Sequence, residues 1–231
     1  MKNDNDLLNN MGKIHVTELE TVRIRKNLEL GTQNVVKWCK QKIKQANNIH
    51  KKGKNWYISF LKLKEIDFKL LYKWYNTDFV NKWYGKEKQK WTYNEIKNKY
   101  MPYIQEQKPT DSYLILCNDM KIGYIQTYLL KNYPEYNELV QAGDNSAGID
   151  LLIGEKEYIH KGLGPIIIKK FLKDIVFQNI NIKNCVIGPE PENIIAIKAY
   201  KKVGFKYIKT IKIPDENEPE YIMEISKDEI E

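Results

Sequence analysis

Cysteine and histidine are both scarce, with three of each in 231 residues. Cys39, Cys117 and Cys185 are scattered, odd in number and without metal-ligand spacing. That pattern argues against a disulfide framework and against a zinc site. His15, His50 and His160 are equally dispersed, so no metal is expected. Long apolar runs are missing too: none approaches the roughly 20 residues needed to span a bilayer. The opening MKNDNDLLNNMGK lacks the apolar stretch of a secretory signal. Reduced thiols without a signal fit a cytoplasmic protein with no membrane partner.

What the chain does hold is a formal charge of +8. Residues 1–54 carry 12 Lys/Arg against 5 Asp/Glu, so nearly all of the excess lies there and the remainder is close to neutral. This location argues against nucleic acid as the partner of the globular part. Hydrophobic residues, at 42%, suffice for a core. The expected division is a basic N-terminal extension over 1–54, partly disordered, and a globular domain over 55–231. Val35, Val36, Cys39 and Ile43 recur at helical spacing and predict a helix over 34–46.

Within the domain, Tyr57–Leu63 has the β-branched and aromatic content of a strand. Ile66 to Trp74 and Val80 to Tyr84 read as two helices. Thr92 and Glu95 form a capping box for a third over 93–106, which Pro102 is expected to end early. Ser112–Cys117 and Lys121–Leu130 flank a hairpin turn at Asn118-Asp119. Residues 131–146 read as a loop. A strand over 147–153, a helix over 165–178 and a strand over 183–187 follow. A helix over 193–202 ends at Gly204, and strands lie at 207–213 and 220–225. The class is α+β: a mostly antiparallel central sheet flanked by helices, with one parallel strand–helix–strand crossover over 147–187.

The chemistry concentrates around that crossover. Lys161-Gly162-Leu163-Gly164-Pro165 joins a strand to a helix. The first turn of a helix has N–H groups without intrahelical partners, and its dipole favours an anion there. Gly162 and Gly164 let the backbone approach a phosphate, and Pro165 suits the first turn. No third glycine completes a dinucleotide fingerprint, and no Lys-Ser/Thr pair makes a P-loop. Two such glycines also occur in plain turns, so the later segments decide between the two.

Those segments are Pro189-Glu190-Pro191-Glu192-Asn193, a helix with Ala196 and Tyr200, and Gly204-Phe205. Together with the glycine turn they resemble the GNAT N-acetyltransferase superfamily, over roughly 57–226. Ile122–Tyr128, Gly148-Ile149-Asp150 and Ala196–Phe205 look like the aminoglycoside 6'-N-acetyltransferases, a group tied to antibiotic resistance. The resemblance implies a GNAT-like sheet and acetyl-CoA as co-substrate, without a metal. The turn Ile159, His160, Lys161, Gly162, Leu163 and Gly164 would then bind the pyrophosphate through backbone N–H groups, with Pro165 beside it as part of the cofactor site. Leu152 and Ile153 would pair with the pantetheine arm, an N–H near Leu152 serving as oxyanion donor. Asn193, Ala196 and Tyr200 would complete the cofactor site.

Asp150 becomes the base that takes a proton from the acceptor ammonium. Tyr200 becomes the acid for the leaving thiolate. Trp83, Tyr84 and Gln126 correspond to acceptor-binding positions. Read without the family, Asp150 is a strand-end aspartate and Tyr200 is one of 16 tyrosines. The chain departs from the family pattern at Ile159, where Gln or Arg is common, and at Gly188, where aminoglycoside enzymes often carry an acidic residue facing the acceptor. An acidic cleft would suit a cationic acceptor, and Glu135, Glu138, Asp144 and Asp150 are candidates for it.

The leading expectation is direct acetyl transfer to a primary amine of a small polycation, the 6'-amine of an aminoglycoside foremost. A siderophore hydroxylysine precursor and a protein or peptide amine are alternatives. In a different class, the chain is a non-catalytic acyl-CoA-binding module with a basic tether. In either case a monomer or homodimer is expected.

Overall fold

A computed structural model describes Val22 and residues 34–37, 39, 56–84, 90–214, 216 and 218–230. The chain divides into two compact units, 1–56 and 57–231. In the first, residues 35–37 and 39 are helical, and the Asn34 side chain accepts from the Lys37 N–H at 2.8 Å. The rest of the expected 34–46 helix lies outside the described residues, as does almost all of the extension expected to be disordered.

The second unit holds a seven-stranded sheet in the order β1-β2-β3-β4-β5-β7-β6. The strands are β1 (Ile58–Lys62), β2 (Thr110–Cys117), β3 (Met120–Leu129), β4 (Ser146–Ile153), β5 (Asn184–Ile187), β6 (Lys206–Ile211) and β7 (Glu220–Ser226). The helices are α1 (Phe68–Tyr75), α2 (Asp78–Tyr84), α3 (Tyr93–Ile104), α4 (Pro134–Val140), α5 (Leu163–Asp174) and α6 (Ile194–Val203). β4 and β5 pair in parallel, as a crossover through α5 requires. The other pairs are antiparallel.

Local signals explain most element ends. Asn118 and Asp119 both take positive φ, 50° and 66°, which is the backbone of a type I′ hairpin turn. The Thr92 hydroxyl accepts from the Glu95 N–H at 3.2 Å, and the Glu95 carboxylate accepts from the Thr92 N–H at 2.8 Å. Pro102 does not stop α3, which continues to Ile104. It sits in the last turn, where the one hydrogen bond it removes costs little propagation. The expected loop over 131–146 contains α4. Pro134 opens it in a position where no N–H is needed, and Gln141 closes it in the left-handed conformation.

The faces of the sheet are set by alternation along the strands. Phe171 of α5 packs edge-on against Phe60 and Tyr113, with ring centroids 4.9 and 5.6 Å away. On the other face, Phe68, Leu71, Trp74 and Tyr75 of α1 join Ile96 and Tyr100 of α3 over Leu114, Tyr124 and Leu152. This second layer is rich in tyrosine, and the site opens beside it.

Candidate active site

β4 and β5 pair only from Ser146↔Asn184 to Gly148↔Val186. β4 stays paired with β3 as far as Ile153. Beyond Gly148 its other edge is therefore open. Gly154 donates to the Ile122 carbonyl at 2.8 Å. By alternation, Leu152 and Asp150 also turn their backbone groups to β3, while Leu151 and Ile153 face the open edge. The Tyr84 hydroxyl confirms the direction by donating to the Leu151 carbonyl at 2.6 Å. The free donors expected near Leu152 thus belong to Leu151 and Ile153. Leu152 itself faces β3 through its backbone and buries its side chain in the α1–α3 layer.

The glycine turn lies at the start of α5. Ile159 is extended, His160 has φ 59° and Gly162 has φ 74°. Such alternation turns successive N–H groups toward one point, the geometry of an anion-binding nest. Among the described residues, no carbonyl or side chain accepts from the N–H groups of His160 through Gly164. A Cβ at Gly162 would meet nothing within 4 Å, so the positive φ, not space, calls for glycine. Leu163 is buried and anchors the helix, Pro165 sits in its first turn, and the side chains of His160 and Lys161 are exposed. These groups fit a diphosphate held by backbone. Asn193 caps α6, its Oδ1 accepting from the Ala196 N–H at 3.2 Å. Its amide nitrogen has no acceptor among the described residues, while the Ala196 N–H is taken by the cap.

Asp150 is half-buried where the strands part. Its Oδ2 accepts from Gln126 Nε2 at 2.8 Å. Tyr124 donates to Gln126 Oε1 at 2.7 Å, and the Ser112 hydroxyl lies 2.7 Å from Tyr124. This chain of polar groups fixes the carboxylate from behind. Burial pushes the Asp150 carboxyl above the usual range; the Gln126 hydrogen bond and the Lys99 charge pull back only in part. A raised carboxyl is suited to accepting a proton near neutral pH.

Six tyrosines feel this carboxylate. Burial first, and the Asp150 charge among the further causes, raise the phenols of Tyr84, Tyr103, Tyr124, Tyr128, Tyr136 and Tyr200. Tyr103 is pushed up to about 12. All six therefore remain protonated donors at neutral pH. Tyr200 comes from α6, across the opening, and is buried. Lys99 holds its ammonium 5.2 Å from the Trp91 ring and 5.3 Å from the Tyr75 ring, within cation–π range.

The structure thus gathers Asp150, Gln126, Tyr84 and Tyr200 around one opening. Trp83 is next to Tyr84 on α2, with the Lys82 ammonium over its ring at 4.5 Å; among the described residues no hydrogen bond, ion pair or ring contact links it to Asp150. Glu135, Glu138 and Asp144 are exposed on α4 and the turn before β4. Tyr103, Tyr128 and Tyr136 were not singled out by sequence. The alternation of Tyr124, Gln126 and Tyr128 on β3 was a usable signal for one of them. At Gly188, a Cβ would fall 2.4 Å from Oε2 of Glu220, so that place is taken by a carboxylate from β7. Cys185 is buried as expected for its strand; burial, then the charges of Asp150 and Glu224, pushes its thiol well up, which leaves it a poor nucleophile.

Residues 64–213 match the family described as acetyltransferase (GNAT) domain. Residues 8–68 match a protein family of unknown function. The chain is 28% identical over 151 residues to an aminoglycoside N(6')-acetyltransferase type 1 of Klebsiella pneumoniae, covering 65% of this chain and 75% of that protein. The fold is similar to that of the aminoglycoside acetyltransferase AAC(6')-Ib in complex with coenzyme A and kanamycin, at TM-score 0.62 and 24% identity. That match covers 75% of this chain and 96% of the other. It is also similar to a spermidine N-acetyltransferase from Vibrio cholerae in complex with CoA and spermine, at TM-score 0.58 and 17% identity, covering 75% and 97% of the two chains. A match over well more than half of the chain, on a sheet that parts beside an open glycine turn, leaves one conclusion: the chain belongs to the GNAT acetyltransferase family.

Proposed function

We propose that this acetyltransferase moves an acetyl group from acetyl-CoA directly to a primary amine of a small polycation, the 6'-amine of an aminoglycoside foremost. The observation that carries the reading is Asp150, held by Gln126 at the open edge of β4 among phenol donors. In this reading the N–H groups of the Ile159–Gly164 turn bind the diphosphate of the co-substrate. Leu151 and Ile153 offer backbone partners to its pantetheine arm, and one of their N–H groups faces the thioester oxygen. Asp150 accepts a proton from the acceptor ammonium, and the freed amine attacks the thioester carbon. The carbon–sulfur bond breaks, the Tyr200 phenol supplies the proton to the departing thiolate, and the proton still carried by the new amide nitrogen returns through solvent to that phenolate. No enzyme nucleophile is needed, in keeping with the buried thiol of Cys185.

The test is CoA-thiol release by the purified full chain with acetyl-CoA and a panel of amines: kanamycin, paromomycin, a hydroxylysine precursor, spermidine and a lysine peptide. Kanamycin has a 6'-amine and paromomycin a hydroxyl there, so turnover of the first alone supports the 6' assignment. Turnover confined to another amine keeps the mechanism and moves the acceptor. Acetyl-CoA binding without turnover across the panel points to the non-catalytic acyl-CoA-binding module.

A further inference from the structure

Glu220 opens β7, 70 residues from Asp150 in sequence, and the mechanism above makes no use of it. Its position follows from register. Gly148 pairs with Val186, and β7 runs antiparallel on the far side of β5. Val186 and Ile222 share an apolar cluster with Tyr128 and Tyr136, so their side chains lie on one face of the sheet. Tyr128 lies over Gly148 on that face; a Cβ there would meet its ring at 2.4 Å. Period-two alternation then puts Asp150, two residues after Gly148, and Glu220, two before Ile222, on this same face.

The Glu220 carboxylate is also aimed. The Tyr136 hydroxyl donates to its Oε2 at 2.8 Å. The same oxygen lies against Gly188, just past the end of β5, where β4 and β5 part. Two half-buried carboxylates from strands on opposite sides of the opening therefore face one cleft, and among the described residues neither has a lysine or arginine in salt-bridge contact. A ligand that brings positive charge would let both groups ionise in this cleft.

We propose that Glu220 is a second ammonium-binding carboxylate of the acceptor site, which selects acceptors carrying at least two ammonium groups. The inference rests on the acceptor reading above and deepens it. The first ammonium lies at Asp150, where it loses its proton. The second keeps its proton and pairs with Glu220. The groups facing Glu220 are Tyr136 from α4, Tyr128 from β3, Asp150 from β4 and Glu216 from the β6–β7 connection. Burial, then Asp150 and Glu216, push its carboxyl up to about 8 against the Tyr136 hydrogen bond. The raised carboxyl favours the protonated form, and pairing with a cation favours the ionised one, so binding releases protons.

The experiment is calorimetric titration of the full chain, with CoA present, using kanamycin and, as a one-amine control, glucosamine. Glu220→Gln keeps the size and the Tyr136 hydrogen bond but removes the charge. Its kanamycin Kd is expected to rise tenfold or more, with CoA and glucosamine affinities within about twofold of the parent. Repeating the kanamycin titration in two buffers of different ionisation enthalpy should show that the variant releases fewer protons at pH 7, which a merely structural role would not change. Gly188→Ala, which sets a methyl against Oε2, should weaken kanamycin in the same direction without altering charge. Unchanged kanamycin affinity in both variants, or no kanamycin binding by the parent, overturns the proposal. Glu220-dependent binding without any acetyl transfer supports the proposal and sinks the acceptor reading instead.

Discussion

Asp150→Asn should lower turnover with the true acceptor by about 10²- to 10⁴-fold, the range for loss of a positioned general base. The amide matches the carboxylate in size and can still meet Gln126, which now donates to Asp150 Oδ2 at 2.8 Å. What it cannot do is take a proton. Acetyl-CoA affinity should stay within about twofold, because the glycine turn belongs to another segment. The pH profile adds a second check. The base works ionised and its carboxyl lies above the usual range, so kcat/KM in the parent rises with pH through that raised value. This limb should vanish in the variant.

Stability moves the opposite way. A carboxyl whose folded pKa is raised binds more protons in the folded state than in the unfolded one, between the two values. Folded stability therefore falls as pH rises through that window. Above that window the parent carries the cost of an ionised, half-buried carboxylate and the Asn variant does not. The variant should melt no lower than the parent there. Full activity in a well-folded Asp150→Asn protein would remove the base from our mechanism.

Trp74→Ala should destabilise the second unit by about 3–5 kcal/mol, the range for emptying a large buried aromatic site. Trp74 is fully buried in the α1–α3 layer. Its ring also lies against Gly154, where a Cβ would come within 2.1 Å of it, and its indole N–H donates to Glu155 Oε1 at 2.8 Å. Three losses coincide: packing, a hydrogen bond to a carboxylate, and the clamp on the chain leaving β4. Lys73 remains as a partner for Glu155, at 2.7 Å, so the carboxylate is not left alone. Because Gly154-Glu155 leads into the glycine turn, acetyl-CoA binding should weaken along with stability. Urea unfolding should show a lower midpoint at an unchanged slope. A midpoint shift worth less than about 1 kcal/mol would show that the layer closes over the cavity.

Much of the fold follows from signals a few residues long. Asn118-Asp119 takes the two positive φ values of a hairpin turn because short polar side chains tolerate that conformation. Thr92 and Glu95 cap a helix because each satisfies a donor of the other. Where such rules misled, long-range packing overrode them. α4 has Tyr, Pro and Glu in a loop-like mix, yet Tyr136, Leu139 and Val140 give it a stripe that covers Leu130, Val186 and Ile222. Pro102 reads as a terminator, but its place in the last turn of α3 removes the conflict.

The sequence by itself determined the crossover and the glycine turn, since each depends on runs of neighbouring residues and on the rules for turns, caps and alternation, while Asp150 as candidate base came from the family resemblance. Only the tertiary structure decided which groups meet at Asp150. Its tyrosine ring draws on α2, α3, β3, α4 and α6, and Glu220 arrives from β7, against Gly188. It also decided that Leu151 and Ile153, not Leu152, open their backbone to the cleft, because that depends on which alternate residues of β4 bond to β3. The period of a strand is written in its residues, whereas the phase of that period against its neighbours is set by the pairing of segments far apart in the chain.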